Sequence, residues 1–452
     1  MELFERHILT NTHLIERVAA LMAPILPAHS SILIGLSGGV DSVVLLHVLH
    51  KLAARFSWQL SALHVHHGIS PNADAWADFC AGLCARHYIS LHVERVDIAP
   101  LRAHGVEAAA RQLRHAAFAR QRCDFAALAH HADDQAETLL LQLLRGAGVR
   151  GAGAMPLLAG EDCSPRLLRP LLHCSRQEIV DYAVAHGLRW VEDESNADDS
   201  YPRNFLRHRV LPLLDQKFPC YRATLARSAQ HFAEASGLLD ELAQRDAAQA
   251  IDGGTLAVTA LQALSLPRAK NLLRYFLHHV GAPMPQAAQL DDMLHQLTCA
   301  RADAAVCVAY GGWQVRRYAG RVYALPALGG FDRNLVLPWH GETVLGWPAL
   351  HTHLYFSHTQ GAGVSLAKLQ HAPVTLRLRH GGETLRPHPN AATRTLKNLL
   401  QEHHVPPWRR DRLPLLYCGE ELVCVPGVAI AAEYQAAAAE AGVQLLETSE
   451  VE

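Results

Sequence analysis

The sequence predicts an α/β protein with a doubly wound parallel sheet at the amino terminus, a helical middle domain and a small α+β domain at the carboxyl terminus. Short apolar runs alternate with amphipathic stretches through residue 145, as is typical of a parallel sheet covered by helices. Residues 220–300 are rich in Ala, Leu and Gln and lack that alternation, and strand-like segments return from residue 305. We therefore place a first domain at 1–217, a mainly helical domain with short strands at 218–350, and a small α+β domain at 351–452.

Each element of the first domain follows from the spacing of its apolar residues. Short β-branched runs predict buried strands, and apolar residues at helical spacing predict the helices between them. Ligands of such sheets bind where the strands end, so the loops after Leu36, His66 and Ala129 are expected to converge. The predicted strands are 31–36, 60–66, 91–98 and 125–129. One helix follows the glycine-rich turn after the first strand, and the other helices are predicted at 72–88, 106–122 and 133–145.

Later segments carry local signals of their own. Ser175 followed three residues later by Glu178 predicts a capping box at the start of a helix that ends near residue 186. Apolar spacing and glycine turns give the remaining predictions, which are a helix at 204–214, a hairpin within 306–325, a helix at 396–402 and a helix containing the alanine run 436–439.

Composition limits the classes of function. Hydrophobic residues make up 50% of the 452 residues and the formal net charge is −2, so a nucleic-acid site would have to be a local patch. We find no apolar run of the ~18 residues that span a bilayer, and the apolar start at 18–28 is interpreted as a helix of the mature protein. The ten cysteines include no C-x-x-C pair. Reduced thiols in a cytoplasmic protein without membrane association are therefore expected.

A glycine-rich loop, SGGVDS, connects the first predicted strand to the next helix. Gly38 and Gly39 allow backbone N–H groups to approach an anion, and the helix directs its positive end at the same point. Asp41 suits this site if Mg²⁺ bridges its carboxylate to phosphate. The loop is neither a Walker A motif nor a G-x-G-x-x-G motif, and the alternative is a turn without a ligand. The pattern resembles that of the PP-loop ATP-pyrophosphatases, which implies that ATP is bound by Ser37, Gly38, Gly39, Val40, Asp41 and Ser42.

A second motif, HHADDQAET, follows the fourth predicted strand. Asp134 and Glu137 are three residues apart and share one face of a helix. Two adjacent carboxylates suit a substrate that carries ammonium groups, and a carboxylate here could also ligate Mg²⁺ or deprotonate an amine. The alternative is that these acidic residues simply complement the helix dipole.

A third motif, EAAARQLRHAAF, places two arginines on one face of a helix. Arg111 and Arg114 are three residues apart, and guanidinium groups neutralise phosphate or bind carboxylate in bidentate fashion. The alternative is a solvated helix face.

These motifs, in this order, resemble the tRNA(Ile)-lysidine synthetase family of PP-loop ATP-pyrophosphatases. The resemblance includes SGGVDS, HVHHG at 64–68, EAAARQLRH, HHADDQAETLLLQLLRG and WVEDESNADDSYPRNFLRHRVLP at 190–212. RHGGETLRPHP and LKNLLQEHHVPPWRRDRLPLLYCGEELVCVPG are similar to the carboxyl-terminal domain of that family. The resemblance is weakest at 220–340.

The resemblance implies a two-step ligation. The C2 oxygen of the wobble cytidine in a CAU-anticodon tRNA(Ile) attacks the α-phosphate of ATP and releases pyrophosphate. The ε-amine of free L-lysine then attacks C2 and releases AMP, giving lysidine, which changes codon recognition from AUG to AUA. The sequence leaves the oligomeric state open, a homodimer included.

The resemblance also implies site roles by motif. Asp41 would carry Mg²⁺, and Asp134 and Glu137 would hold lysine near Arg111 or Arg114. His66 and His130, at the ends of two predicted strands, join the predicted ATP site. Asn196, Arg203, Asn204 and Arg207 would meet tRNA or phosphate, and the alternative is a capped, solvated helix start.

The predicted tRNA surface lies mainly in a basic segment of the last domain. Residues 374–412 hold eight Arg and Lys against three Asp and Glu, a local charge of +5. Such a surface suits phosphate contacts, and the alternative is a solvated basic face. The tRNA-binding residues that we predict are Arg203, Arg207, Arg377, Arg379, Arg386, Lys397, Trp408, Arg409 and Arg410.

Two other functions compete with this prediction. Another PP-loop tRNA-modifying enzyme, such as a tRNA thiolase, would typically carry paired cysteines, which this sequence lacks. A non-catalytic, nucleotide-dependent RNA-binding module would not need the complete acidic motif beside the intact phosphate loop.

Overall fold

A computed structural model describes residues 14–100, 106–160, 164–194, 198–301, 304–327, 329–350 and 352–449. The chain divides into two compact units, residues 1–240 and 241–452. The three domain boundaries of the sequence analysis remain a prediction beside this division.

The first unit is an α/β domain. Its strands are β1 (Ser31–Gly35), β2 (Gln59–His66), β3 (Ser90–Arg95), β4 (Phe125–Ala127), β5 (Leu158–Ala159) and β6 (Arg166–Leu168). Its helices are α1 (residues 14–22), α2 (Val40–Phe56), α3 (Ala73–Arg86), α4 (Val106–Ala119), α5 (Ala132–Leu144), α6 (Val149–Ala152), α7 (Arg176–Ala185), α8 (Pro202–Phe205), α9 (Leu211–Lys217) and α10 (Tyr221–Ala247), whose last residues belong to the second unit.

The six strands form one sheet in the order β3-β2-β1-β4-β6-β5. Parallel pairing joins β3 to β2, β2 to β1, β1 to β4 and β4 to β6, and β5 adds an antiparallel edge. The predicted parallel sheet is therefore confirmed. The sequence analysis missed β5 and β6 because they are two and three residues long, too short to show a period.

Side chains of alternate residues in β1 bury opposite faces of this sheet. Ile32 and Ile34 pack with α1, α2, α3 and α7, whereas Leu33 packs with Phe118 of α4 on the other face. The strand is apolar on both faces because helices cover both, which is why it reads as a continuous apolar run.

The predicted helix at 204–214 is interrupted. α8 passes into a π-helical segment, Leu206–Val210, before α9 begins, and the N–H of Leu211 bonds to the carbonyl of Leu206. Pro212 explains the wider turn, since its ring has no N–H and would clash with the carbonyl four residues earlier in a regular α-helix. The sequence analysis did not weigh this proline.

The second unit combines helices with mostly antiparallel strands. Its helices are α11 (Val258–Ala263), α12 (Leu266–His279), α13 (Ala287–Cys299), α14 (Leu396–Glu402) and α15 (Pro407–Arg410). Its strands are β7 (Ile251–Asp252), β8 (Thr255–Ala257), β9 (Cys307–Tyr310), β10 (Trp313–Tyr318), β11 (Arg321–Pro326), β12 (Val336–Pro338), β13 (Val344–Trp347), β14 (Thr352–Gln360), β15 (Val364–Ser365), β16 (Val374–Arg377), β17 (Thr384–Leu385), β18 (Arg394–Thr395), β19 (Leu415–Cys418), β20 (Glu421–Val425), β21 (Ala429–Ile430) and β22 (Ala441–Ser449).

Two separate hydrophobic cores hold this unit together. One packs α11, α12 and α13 on the sheet β7-β8-β11-β10-β9, which contains the predicted hairpin strands. The other joins the sheets β12-β16-β19-β20-β21 and β13-β14-β22-β15 around buried residues such as Trp347 and Leu400. The helical middle and the β-rich end agree with the predicted fold class.

The predicted helix around the alanine run 436–439 is wrong. Residues 436–440 form an irregular segment and a turn between a short 3₁₀ turn (Ala432–Tyr434) and β22. Gln435 pairs with Val364 as a β-bridge, and the N–H of Ala436 bonds to the carbonyl of Gly363. Strand pairing therefore overrides the helix propensity of alanine.

Among the described residues, no helix is both long enough and apolar enough to span a bilayer.

Candidate active site

The SGGVDS segment, which we call the phosphate loop, forms a tight turn between β1 and α2. The hydroxyl of Ser42 lies 3.1 Å from that of Ser37 and donates to the carbonyl of Gly39 at 2.9 Å. The N–H of Gly38 donates to Ser42 Oγ at 3.2 Å. The two serines thus fix the loop shape, and Gly39 caps α2 with backbone only. The free N–H groups at this helix start remain available to an anion.

Gly38 has no room for a side chain. Its φ is +91°, and a Cβ there would lie 2.8 Å from Cγ2 of Val191, whose N–H bonds to the Gly38 carbonyl. The segment before residue 194 therefore closes over the loop. Any substitution at Gly38 would strain the backbone and push this cover away.

His131 connects the phosphate loop to the acidic motif. The residue is 2% exposed, and its Nε2 lies 3.4 Å from Asp134 Oδ2 and 3.8 Å from Asp41 Oδ2. It also begins α5 as the N-cap, since the N–H of Asp134 donates to His131 Nδ1 and the N–H of His131 donates to Asp134. The loop and the acidic motif therefore share one centre. Sequence analysis missed His131 because a histidine N-cap lacks the usual Ser or Asp signature.

The two carboxylates at this centre differ in their surroundings. Burial raises the pKa of Asp41 above its ordinary value, although nearby His131 acts against the shift. Burial alone would also raise the pKa of Asp134, but His131 and Arg203 hold it below its ordinary value. Asp134 is therefore a stable anion, whereas Asp41 is a partly buried carboxylate that lacks full compensation.

Asp134 and Glu137 are bound by two arginines from α8 and the π-helical segment. Arg203 donates from Nε to Glu137 at 2.7 Å and from Nη2 to Asp134 at 2.8 Å. Arg207 donates from Nε and Nη2 to Glu137 at 2.7 and 3.0 Å. The Glu137 side chain is 1% exposed, and burying it without these partners would be costly. We call these four residues the Arg–carboxylate cluster.

This arrangement brings together residues that the sequence analysis placed in different roles. Asp134 and Glu137 were predicted to hold lysine, and Arg203 and Arg207 to contact tRNA. Both assignments remain predictions, but the arginines lie inside the site and are only partly exposed. Arg203 and Arg207 are four residues apart in the sequence, and this spacing indicates that both side chains could face the same neighbouring helix. Asn204 donates to the carbonyl of Asp198 at 2.9 Å, while Asn196 lies outside the described residues.

A cavity of about 610 Å³ adjoins Glu137 on the side of α7, α9 and α10. Acidic and basic groups face each other across it, and Asp133 accepts bonds from Arg222 at 2.5 Å and from the N–H of Arg176 at 2.9 Å. Its charged lining comprises Asp133, Glu137, Asp215, Arg176, Arg207 and Arg222, and its less polar lining comprises Val180, Leu211, Pro212 and Tyr221. It suits a molecule with both charges and an aliphatic part.

A second cavity, of about 600 Å³, lies where β2 and β3 end. His66 lines it, and His66 Nε2 lies 3.2 Å from Asp74 Oδ1 and 3.3 Å from Arg95 Nη1. His67, Gly68 and residues 95–99 complete the wall. The cavity adjoins the carboxyl edge of the sheet, as predicted for a nucleotide site.

His130, Arg111 and Arg114 lie at the same edge on the α4 side. Burial lowers the pKa of His130 to about 3, although Asp134 acts in the opposite direction. His130 is therefore neutral near pH 7. Arg111 and Arg114 are exposed and lie on the face of α4 that also carries the buried Phe118. The structure thus places all three predicted residues at the edge where the phosphate loop lies.

The surroundings of Asp41 indicate whether this carboxylate could bind Mg²⁺. Its Oδ1 is buried and has no hydrogen-bond partner among the described residues, so it could accept a cation. In the described ranges, no group of three or more His, Cys, Asp or Glu side chains could by itself hold a metal ion. Asp41 therefore fits a metal whose other ligands come from substrate phosphate and water, as is usual for Mg²⁺.

Three of the six basic side chains predicted to contact tRNA in the second unit are paired with carboxylates. Carboxylates lie 2.8 Å from Arg377, 3.5 Å from Arg379 and 2.5 Å from Arg386. Their partners Glu420 and Glu433 lie beyond the segment 374–412, so the local charge of +5 overstates the positive charge of the folded surface. Lys397 and Arg409 are exposed.

Trp408 packs on the β10–β11 hairpin. The guanidinium of Arg316 lies 5.0 Å from the Trp408 ring centre, and the Tyr323 ring centre is 5.2 Å away in an edge-on arrangement. Arg410 donates to the Tyr318 hydroxyl at 2.9 Å and to the carbonyl of Val405 at 2.8 Å. Trp408 and Arg410 thus have structural partners in addition to the predicted role in tRNA binding.

Three family models match separate parts of the chain. The PP-loop domain matches residues 10–214, the TilS substrate binding domain matches 256–323, and the TilS substrate C-terminal domain matches 374–447. The first match contains the phosphate loop, His131 and the whole Arg–carboxylate cluster.

The chain is also similar to curated proteins over most of its length. The tRNA(Ile)-lysidine synthase of Nitrosomonas europaea is 43% identical over 404 residues, covering 89% of this chain and 88% of that protein. The enzyme of the same name from Aromatoleum aromaticum is 42% identical and covers 95% and 99%. That of Escherichia coli O157:H7 is 41% identical and covers 88% and 91%.

Similarity to solved structures is lower. The U34-tRNA thiolase NcsA from Methanococcus maripaludis is 18% identical with a TM-score of 0.44, covering 50% of this chain and 79% of that one. That likeness is too remote to bear on function. The identity and coverage shared with the curated relatives, together with the matched domains, show that the chain belongs to the tRNA(Ile)-lysidine synthase family.

Proposed function

We propose that the protein ligates lysine to C2 of the wobble cytidine in a CAU-anticodon tRNA(Ile), using ATP to adenylate the base first. One observation carries this proposal: His131 joins the phosphate loop to the acidic motif within 3.8 Å. A nucleotide on the loop and an amine beside the carboxylates would therefore meet at one centre. The names and similarity of the curated relatives support the same reaction.

ATP would lie across the carboxyl edge of the sheet. Its phosphates would meet the N–H groups of the phosphate loop and the start of α2, which favours negative charge. The cavity beside His66 offers about 600 Å³ for the adenosine part. Mg²⁺, when bound, would be held by Asp41 and phosphate oxygens and would neutralise charge on the pyrophosphate. The phosphate-loop N–H groups hold the same charge in place.

The first step would form a bond between the C2 oxygen of cytidine and the α-phosphorus and would break the bond to pyrophosphate. The phosphate loop holds the leaving group, so its negative charge develops against donors that are already oriented. No lysine is needed in this step. Release of pyrophosphate should therefore require ATP and tRNA but not lysine.

The second step would form the bond between the lysine ε-nitrogen and C2 and would break the bond between C2 and the AMP oxygen. The ε-ammonium must lose a proton before attack, and Asp134 and Asp41 are the carboxylates nearest the centre. The cavity beside Glu137 has room for the lysine body, with opposite charges available for its α-groups. Its less polar wall suits the aliphatic chain.

The tRNA body would contact the second unit through exposed basic groups. Lys397 and Arg409 are the most accessible of the predicted residues, whereas Arg377, Arg379 and Arg386 already pair with carboxylates. These pairs are mostly at the surface, where ion pairs are weak and can be exchanged for phosphate.

The experiment is mass spectrometry of nucleosides from CAU-anticodon tRNA(Ile) incubated with the protein, ATP and isotopically heavy lysine. The proposal predicts a modified cytidine that carries the heavy label and requires both ATP and lysine. A sulfur-containing base, formed in a parallel incubation that also contains a sulfur donor, would instead indicate a thiolase. Unmodified tRNA under conditions of tight ATP-dependent binding would indicate the non-catalytic module.

A further inference from the structure

The α4 side of the active edge contains a group of basic side chains in addition to the phosphate loop and the Arg–carboxylate cluster. We call it the basic chamber, and its members are Arg169, Arg111, Arg114, His67, His115 and His130. Arg169 follows β6, His67 follows β2 and His130 follows β4, so sheet order brings their loops to one edge. The sequence analysis did not single out Arg169, because β6 was not predicted.

Arg169 is a buried cation. It is 6% exposed, its Nη1 donates to the carbonyl of Pro156 at 2.7 Å, and its Nε has no hydrogen-bond partner among the described residues. None of the ion pairs found in the described chain involves Arg169. A buried guanidinium without a carboxylate is costly, and among the described side chains Arg169 has no such partner, so an added anion would balance its charge.

Two neighbouring arginines, Arg111 and Arg114, add to this positive charge. Burial and the nearby Arg111 together lower the pKa of Arg169 to about 10. Arg169 and Arg114 both act on His130 and on His115, and each lowers the pKa of those imidazoles in addition to the effect of burial. These basic groups therefore lie near one another, and Asp134 also acts on His130.

The geometry of α4 explains how its arginines reach this place. Arg111, Arg114 and His115 lie on the helix face that also carries Phe118, which packs into the sheet core. A helix that follows a parallel strand runs back antiparallel to it, so the first turns of α4 lie at the carboxyl edge of the sheet. Its arginines thus lie at the same edge as Arg169.

Resting on the proposed function, we infer that the basic chamber binds a backbone phosphate of the tRNA next to the target cytidine. Each other anion in the reaction has a place: the phosphates of ATP on the phosphate loop, and the carboxylate of lysine in the cavity beside Glu137. A base that reaches ATP must leave its stack, and it carries its flanking phosphates with it. One of these phosphates must then approach the sheet edge, where the chamber supplies the missing counter-charge.

The test combines a protein substitution with neutralisation of one phosphate. Full-length CAU-anticodon tRNA(Ile) is assembled with an uncharged methylphosphonate linkage on either the 5′ or the 3′ side of the target cytidine. Lysidine formation is measured for wild type, Arg169→Gln and Arg111→Gln, with Arg55→Gln as the control. Arg55 pairs with Glu16 at the far end of α2 and has no role in the site.

We expect Arg169→Gln to raise the KM for normal tRNA about tenfold, the effect of losing one charge-assisted contact, with the KM for ATP and lysine within about twofold. One methylphosphonate position should raise the KM of wild type by a similar factor. Adding Arg169→Gln to that RNA should then have little further effect, because both changes remove the same contact. Arg55→Gln should change none of these values.

Independent, multiplying effects of the two changes would overturn the inference, as would wild type indifferent to both methylphosphonates. A rise in the KM for ATP or lysine would assign the chamber to those anions instead. If Arg169→Gln does not fold, the same comparison with the exposed Arg111→Gln decides. If the wild type forms no lysidine, the proposed function itself is contradicted. If the wild type is active and its variants behave like it, only the inference about the basic chamber is contradicted.

Discussion

The Arg–carboxylate cluster and the basic chamber lie at the same sheet edge but differ in charge balance. In the cluster, Arg203 donates hydrogen bonds to both Asp134 and Glu137, and Arg207 donates to Glu137. Glu137 is almost completely buried. In the chamber, Arg169 is equally buried without a carboxylate partner among the described residues. Balanced charges hold elements together, whereas unbalanced buried charges need a ligand. The predictions below use this difference.

Asp41 belongs with the unbalanced groups, and its loss should have the largest effect. We expect Asp41→Asn to lower tRNA-dependent pyrophosphate release by on the order of 10³, since the carboxylate lies against the developing charge and would carry Mg²⁺. Folding should be unaffected, because Asp41 Oδ1 has no partner to lose. Pyrophosphate release assays check this, with the exposed Asp78→Asn as the control. Full activity in Asp41→Asn would remove Asp41 from the site.

Glu137 belongs with the balanced groups, so its loss should affect both stability and lysine transfer. Glu137→Ala leaves two arginines without their buried partner and should cost roughly 3–5 kcal/mol of unfolding free energy. We expect lysine transfer to fall by about 100-fold, while tRNA-dependent pyrophosphate release persists. Denaturant titration and separate assays of the two steps measure these effects. If ATP binding fails instead, the assignment of Glu137 to lysine is wrong.

Arg409 and Arg410 of the second unit differ in exposure. Arg410 bonds to Tyr318 and Val405, whereas Arg409 is exposed. Arg409→Glu should weaken tRNA binding by up to about tenfold and reduce the salt slope by about one, without changing the affinity for ATP. Arg410→Glu should also lower the melting temperature. Filter binding across a salt series separates the two, and equal behaviour would remove the distinction.

Acid should weaken α2 through His47, and this is the smallest expected effect. Burial, together with His186, Lys51 and the nearby His87 and His50, lowers the pKa of His47 from 6.5 to about 4. Because the unfolded chain binds the proton first, this group stabilises the fold fully above pH 6.5 and loses that contribution as the pH falls toward 4. We expect about 1–2 kcal/mol of unfolding free energy to be lost between pH 7 and 5.

His47→Gln should flatten that part of the stability profile, measured by denaturant titration at each pH. The exposed His92→Gln serves as the control. An unchanged slope in His47→Gln would show that other groups dominate the acid response.

Local sequence signals predicted most of the elements that carry the site. The phosphate loop, α5 and the Ser175 capping box followed from residues within a few positions of each other, and the structure confirms these elements. The resemblance of the motifs to the lysidine synthetase family is likewise confirmed by the relatives.

Features that depend on distant partners were not predictable in this way. Arg203 reaches Glu137 across 66 positions in the sequence, and Trp408 packs on Arg316 of a separate hairpin. Glu420 and Glu433 neutralise arginines that seemed free when their own segment was considered alone. The position of Arg169 at the sheet edge depends on the pairing of the short strand β6 with β4. In each case the tertiary pairing, and not the local pattern, decides the role.

Pyrophosphate release with tRNA present and lysine absent tests the central claim most directly. The account predicts rapid release of pyrophosphate that needs CAU-anticodon tRNA(Ile) and ATP, with no further need for lysine, because the base is adenylated before the amine attacks. Pyrophosphate released with lysine alone, or only when lysine and tRNA are both present, would contradict it.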